Sequence, residues 1–274
     1  MTAIGKHSCV VEIGGIPISL STESESFRAL LYQRYSGFLS SSRAEYELDF
    51  ELAEQGTVSD DDVRVRREGC QWRIERGDFC AQWDPDSGRG WVKQTPNHYS
   101  LDSVLRILHS LILAARGGFL LHAASAICEG QACLFSGVSG AGKTTMTRLA
   151  PSGISLLTDE VSYVRPSGGG YSAYGTPFAG ELAKAGENCS APVSALFFLE
   201  KGAKNRIDEI SSAEAVRRLM RNILFFADDH ELVEKLLATA CDFVARVPIR
   251  RLTFYPDARV WDEIRSFQGV PEHA

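Results

Sequence analysis

The chain of 274 residues holds no C-x-x-C pair, and its seven cysteines, at positions 9, 70, 80, 128, 133, 189 and 241, are odd in number. A zinc ribbon and a disulfide scaffold are thereby disfavoured, and free thiols in a reducing cytosol are expected. Long hydrophobic runs are missing too: the most apolar stretch, Leu111 to Ala115, is far shorter than the roughly 20 residues of a membrane span. Met1 to Leu20 has no charged segment followed by an apolar one, so no signal peptide is expected and the expected location is cytoplasmic. Positive charge is in short supply. Lys+Arg 29 against Asp+Glu 35 gives a formal charge of -6, which lacks the broad basic surface of a non-specific nucleic-acid binder. His98, His109 and His230 show no metal-ligand spacing, so no structural zinc is expected. With 44% hydrophobic and 23% charged residues, the remainder is ordinary globular sequence, enough for one or two domains.

The texture changes along the chain. Residues 9–20 read as a strand interrupted at Gly14-Gly15. Ser21 to Tyr35 spaces Phe27, Leu30, Leu31 and Tyr35 as a short helix. Tyr46, Leu48, Phe50 and Leu52 then alternate with Glu45, Glu47, Asp49 and Glu51, the period of a half-buried strand. Val63/Val65, Trp72/Ile74 and Phe79/Ala81/Trp83 repeat it, separated by turn residues, which predicts a β-rich region of hairpins with Trp72, Trp83 and Trp91 in its core. From Leu101 to Ala115 the spacing is helical, with Ser100 as the expected N-cap and Gly117-Gly118 as the stop. A boundary near residue 100 therefore predicts two domains, 1–99 and 100–274, the second α/β. Ser167 to Gly170 reads as a hairpin tip or loop.

The most specific motif is Gly137-Val-Ser-Gly-Ala-Gly-Lys-Thr144, a full match to G-x-x-x-x-G-K-[ST]. An apolar strand, Ala132 to Phe135, precedes it, and a helix from Thr144 to Leu149 follows. Glycines let successive backbone N–H groups converge on phosphate oxygens, and the helix N-terminus adds partial positive charge. Gly137, Ser139, Gly140, Ala141, Gly142, Lys143, Thr144 and Thr145 are thus the expected triphosphate-binding residues, with the Thr144 hydroxyl placed for Mg²⁺. A hairpin, 119–128 and 131–136, leads into the loop. Sixteen residues after Lys143, the short apolar strand 154–158 ends in Asp159-Glu160, carboxylates suited to holding a metal or accepting a proton.

Leu121-His-Ala-Ala-Ser125, Phe135 to Thr145 and Leu156-Leu-Thr-Asp-Glu160 together resemble the C-terminal kinase domain of bacterial HPr kinase/phosphorylases, most closely the HPr-kinase-related proteins. The likeness is clear over about residues 118–162 and weaker on to Trp261, through Gly175 to Glu181 and Leu252 to Asp257. It implies a phosphoenolpyruvate carboxykinase-like P-loop kinase core, behind an N-terminal β-rich α+β domain that matches nothing in the true HPr kinases. It also implies roles: Lys143 and the loop on the triphosphate, Thr144 and Glu160 on the metal, Asp159 as base, and His122 beside the transferred phosphate. Read without the resemblance, His122 is a structural histidine at a strand turn. True HPr kinases are oligomers, so a homo-oligomer is implied as well. The arginine–glycine signature that serves the protein substrate and the reverse reaction in that family is missing after Asp159-Glu160.

These readings lead to an ATP- and Mg²⁺-dependent kinase acting on the hydroxyl of a protein serine or a small serine-like metabolite. Arg206, Arg217, Arg218, Arg221, Arg250 and Arg251 are candidates to stabilise transferred charge, although Arg217 and Arg221, four apart, also suit a solvated basic helix face. The alternative is a non-catalytic nucleotide-binding accessory module in peptide maturation or cell-surface biosynthesis.

Overall fold

The computed structural model describes residues 6–53, 62–182 and 185–269. It is a mixed α/β structure with two large sheets and, among the described residues, six α-helices. The chain divides into two compact units, Met1–Ile112 with Phe225–Val233, and Leu113–Leu224 with Glu234–Ala274. The division falls inside a helix rather than ahead of residue 100, and a segment far down the chain belongs to the first unit.

In the first unit, Gly14-Gly15 turns β1 (His7–Ile13) into β2 (Ile16–Thr22). The expected helix starts later than its spacing suggests, at α1 (Glu25–Arg34), because β2 runs on through Thr22; Ser24 caps it by accepting the Phe27 N–H at 3.2 Å. β3 (Leu39–Ser40) is short. β4 (Tyr46–Leu52) alternates buried and exposed residues as its sequence does. β5 (Arg64–Glu68), β6 (Gln71–Arg76), β7 (Phe79–Asp84) and β8 (Arg89–Gln94) complete an eight-stranded sheet in the order β3-β1-β2-β4-β8-β7-β6-β5. It is not hairpins throughout: β4 pairs parallel with both β2 and β8. Trp72 and Trp83 are core residues at 4% exposure, whereas Trp91, at 36%, lies on the outer face of β8.

Helix α2 (His98–Ala115) begins two residues before Ser100. The cap is Asn97, whose Oδ1 accepts the Ser100 N–H at 2.9 Å. Ser100 itself is buried inside the first turn and donates its hydroxyl to Asp78, which Arg76 also engages.

The second unit starts with β9 (Phe119–Cys128) and β10 (Gln131–Ser136), the hairpin expected from the sequence. Then come α3 (Lys143–Arg148), β11 (Ser155–Thr158), β12 (Val161–Ser167), β13 (Gly170–Tyr174), β14 (Ser190–Lys201), β15 (Arg206–Glu209), α4 (Ser212–Asn222), β16 (Ile223–Leu224), α5 (His230–Arg246), β17 (Ile249–Phe254) and α6 (Val260–Phe267). Gly168-Gly169 is the tip of the β12–β13 hairpin. The sheet order is β10-β9-β12-β13-β14-β17-β15, and β10 also pairs parallel with β14, so five strands close on themselves. β10 is flanked by strands on both sides and buried from Ala132 to Ser136, which explains its unbroken apolar run. Phe135 stacks on Phe197 at 5.8 Å and meets Trp261 edge-on at 5.4 Å. Full burial of each such ring stabilises by about 1.5–3 kcal/mol. The Trp261 indole donates to the Met146 carbonyl at 3.3 Å, tying α3 to this core.

Candidate functional site

The glycine loop, 137–142, leaves the end of β10 and enters α3. Its glycines have positive φ, 156° at Gly137, 75° at Gly140 and 116° at Gly142. Gly142 is required twice over: it holds a left-handed backbone, and a Cβ there would collide with the Phe254 ring. Lys143, 9% exposed, is the first residue of α3 and donates its ammonium to the Gly137 carbonyl at 3.1 Å. Burial pulls its pKa below the ordinary lysine value, against the opposing pull of the Glu160 and Glu181 carboxylates.

Asp159 and Glu160 do not simply end a strand. They occupy the two-residue break between β11 and β12, which pair along the same neighbour: Thr158 lies opposite Ser125 and Val161 opposite His122. Thr158 shapes the break, its hydroxyl accepting the N–H groups of Glu160 and Val161 at 3.2 Å each. The register explains how a histidine on β9 comes to share a cleft with the acidic pair. His122 is half-buried, and its carbonyl accepts the Ser136 hydroxyl at 2.9 Å just before the loop.

A further segment completes the site. After β13 the chain folds back beside β11, with the Thr176 N–H on the Leu157 carbonyl at 3.1 Å and the Glu187 N–H on the Leu156 carbonyl at 3.0 Å. Asp159, 3% exposed, accepts the Gly180 N–H at 2.9 Å on one oxygen and the Leu182 N–H at 3.0 Å on the other. A Cβ at Gly180 would lie 2.9 Å from Glu160 Cβ and 3.1 Å from Asp159 Oδ2, so glycine lets this backbone lie close against the acidic pair.

The resulting cleft, about 280 Å³, is at the lower end of small-molecule sites. It is lined by Ser139, Gly140, Gly142, Lys143, Thr144 and Thr145 of the loop and the helix start, and by His122, Asp159, Glu160, Gly180, Glu181 and Lys201 from other segments. Of the residues expected to bind phosphate or metal or to act in transfer beside the loop, Gly137 and Ala141 belong to the loop but do not line the cleft; the rest, His122, Asp159 and Glu160 included, do. Gly180, Glu181 and Lys201 were not foreseen. Glu181 stood in a stretch noted only for a weak likeness, and Lys201 had just one signal, its place at the C-terminal end of a strand, the edge where open α/β sheets bind ligands.

The candidate arginines line none of it. Arg206 and Arg251 pair with Asp208 at 2.9 and 3.3 Å, Arg250 with Glu209 at 3.3 Å, and Arg218 with Glu200 and Glu214 at 3.0 and 2.7 Å. Arg217 and Arg221 are exposed on α4, a solvated face. Among the described residues no group of three or more His, Cys, Asp or Glu gathers as a metal site. Chemically, the arrangement offers backbone N–H groups, a lysine and a helix start for an anion, facing carboxylates able to take a cation or a proton.

The chain belongs to the ScmC family: the family model described as SynChlorMet cassette protein ScmC matches residues 93–267. That stretch contains every residue lining the cleft. No curated protein matches the chain.

Proposed function

We propose that this ScmC-family chain is an ATP- and Mg²⁺-dependent phosphotransferase of the HPr-kinase-related type, with a P-loop kinase core, acting on a hydroxyl of a protein serine or a small serine-like metabolite. One observation carries the reading: a single cleft is lined both by Lys143 with the glycine loop and by Asp159 with Glu160. In this reading the loop N–H groups and Lys143 hold the β- and γ-phosphates. The acceptor hydroxyl attacks the γ-phosphorus, its proton passes to Asp159, and the bond to the β-phosphate oxygen breaks to release ADP. Little covalent chemistry is asked of the protein, so positioning and charge stabilisation suffice.

The donor set fits Mg²⁺, since the Thr144 hydroxyl and the Glu160 carboxylate are hard oxygen ligands in the cleft and phosphate oxygens complete such sites. When bound, the ion neutralises charge on the phosphate oxygens. His122 sits in the same cleft, in keeping with a place beside the transferred group.

Lys143→Ala tests the reading. It deletes the charge that the loop offers to the phosphates, and Mg·ATP binding by calorimetry is expected to disappear. Unchanged affinity would overturn the reading. A second reading, a nucleotide-binding accessory module without turnover, draws support from Asp159, because both its oxygens already accept backbone N–H groups. ADP release stimulated by a serine-bearing substrate favours the kinase; tight ATP binding without transfer favours the module.

A further inference from the structure

Phosphoryl transfer calls for positive charge on the transferred group, commonly an arginine, and here the candidate arginines are paired or exposed elsewhere. The cleft nonetheless has a second cation. Lys201 is the last residue of β14, and three observations fix its place. First, the end of β14 runs directly under the start of the glycine loop: a Cβ on Gly137 would lie 3.4 Å from the Leu199 carbonyl oxygen and 3.7 Å from its amide nitrogen. Second, Lys201 is the register partner of Phe254 on β17, and Phe254 is the ring that bars any side chain at Gly142. The strand end carrying Lys201 thus lies next to the residues that underpin both ends of the loop. Third, the exposed Lys201 lines the same cleft as Ser139, Thr144, Asp159 and Glu160.

The charges in the cleft say what that lysine is for. Asp159, Glu160 and Glu181 share the lining with Lys143 and Lys201, its two lysines. Lys143 is committed to the loop, with its ammonium on the Gly137 carbonyl. A terminal phosphate entering this cleft would meet the like charge of three carboxylates, which a cation on the protein would offset together with the Mg²⁺ of the reading above. Resting on the phosphotransferase reading above, we infer that Lys201 is a catalytic residue of this site: its ammonium contacts the γ-phosphoryl oxygens and stabilises the charge that moves with them. Its flexible stem suits a group that travels from donor to acceptor. It belongs to β14 rather than to the loop, so its contact is made with the γ-phosphate alone and is separate from the β-phosphate contacts that ADP shares with ATP.

That last property makes a test that needs no knowledge of the acceptor. Mg·ATP and Mg·ADP are titrated separately into the full chain, as wild type, Lys201→Met and Lys201→Arg. Lys201→Met is expected to weaken ATP binding about tenfold and leave ADP within about twofold, as for loss of one charge-assisted contact. Lys201→Arg, which keeps the charge, is expected to restore most of the ATP affinity. The side chain is exposed, so the unfolding midpoint without nucleotide is expected to stay at the wild-type value; Lys201→Gln replaces the Met variant should that one unfold. Equal losses for ATP and ADP, or no loss of ATP affinity, overturn the inference while leaving the nucleotide site intact. A wild-type chain that binds neither nucleotide overturns both this inference and the reading on which it rests.

Discussion

Asp159 is an acceptor on both oxygens before any ligand arrives. The Gly180 and Leu182 N–H groups reach it at 2.9 and 3.0 Å, and it is 3% exposed. Its substitution by asparagine therefore does more than remove a charge. An amide offers one oxygen and one NH₂, so one of the two backbone donors is left facing another donor. A buried unsatisfied donor costs about 1–3 kcal/mol, and Asp159→Asn is expected to lower unfolding stability by that amount in denaturant titrations without nucleotide. A variant as stable as the parent would mean that segment 180–182 is held by other contacts. At this scale the site was legible where its residues are neighbours in sequence. Glycines, Lys143 and Thr144 form one motif, and Asp159-Glu160 follows a short apolar run. Lys201 and Gly180 were not legible, because their relevance comes from pairings made far along the chain. Lys201 needs β14 to lie parallel to β10. Gly180 needs the chain after β13 to return beside β11, and the sequence has no local mark for either.

Elements read more easily than their ends. The β9–β10 hairpin, the helix after the loop and the alternating β4 follow from period and turn residues alone. Helix α2 shows where local reading stops. Ser100 looks like a cap because serine favours that position, yet Asn97 accepts the N–H that Ser100 presents, and the Ser100 hydroxyl turns inward to Asp78. The same helix buries His109, 1% exposed, and desolvation pushes its pKa down to about 3 from the ordinary 6.5. Between those values the unfolded chain binds a proton that the folded chain refuses. Stability attributable to His109 is thus complete above pH 6.5 and is lost as the pH falls from 6.5 towards 3, by at most about 1.4 kcal/mol per unit. Denaturant unfolding at pH 7, 6 and 5 is expected to show this slope in the wild type and a shallower one in His109→Leu. Equal slopes would mean that the imidazole takes up its proton within the fold.

For the whole molecule, the two textures of the sequence correspond to two sheets, but the division is not a single cut. The first unit takes α2 as far as Ile112 and also residues Phe225–Val233. Within that unit Ala227 bridges Val65 on β5, and Asp229 lies 3.9 Å from Arg67. No shift in composition announces this return, because a short segment joined by an apolar bridge and by ion pairs of Asp229 and Glu231 with Arg67 reads like any loop. Among the described residues no helix is long and apolar enough to cross a membrane. Every residue lining the cleft lies in the second unit. A chain beginning at Asn97 keeps all of them, and it is expected to bind Mg·ATP within a few-fold of the full chain. It also keeps residues 225–233 while losing Val65 and Arg67, their partners in the first unit. Its unfolding midpoint is therefore expected to fall, with local opening concentrated at 225–233 in hydrogen exchange. The two measurements answer separate questions. A folded fragment that binds nucleotide but opens at 225–233 locates the phosphate site wholly in the second unit and assigns the returning segment to the first. A folded fragment that cannot bind would make the β-rich unit a working part of the site.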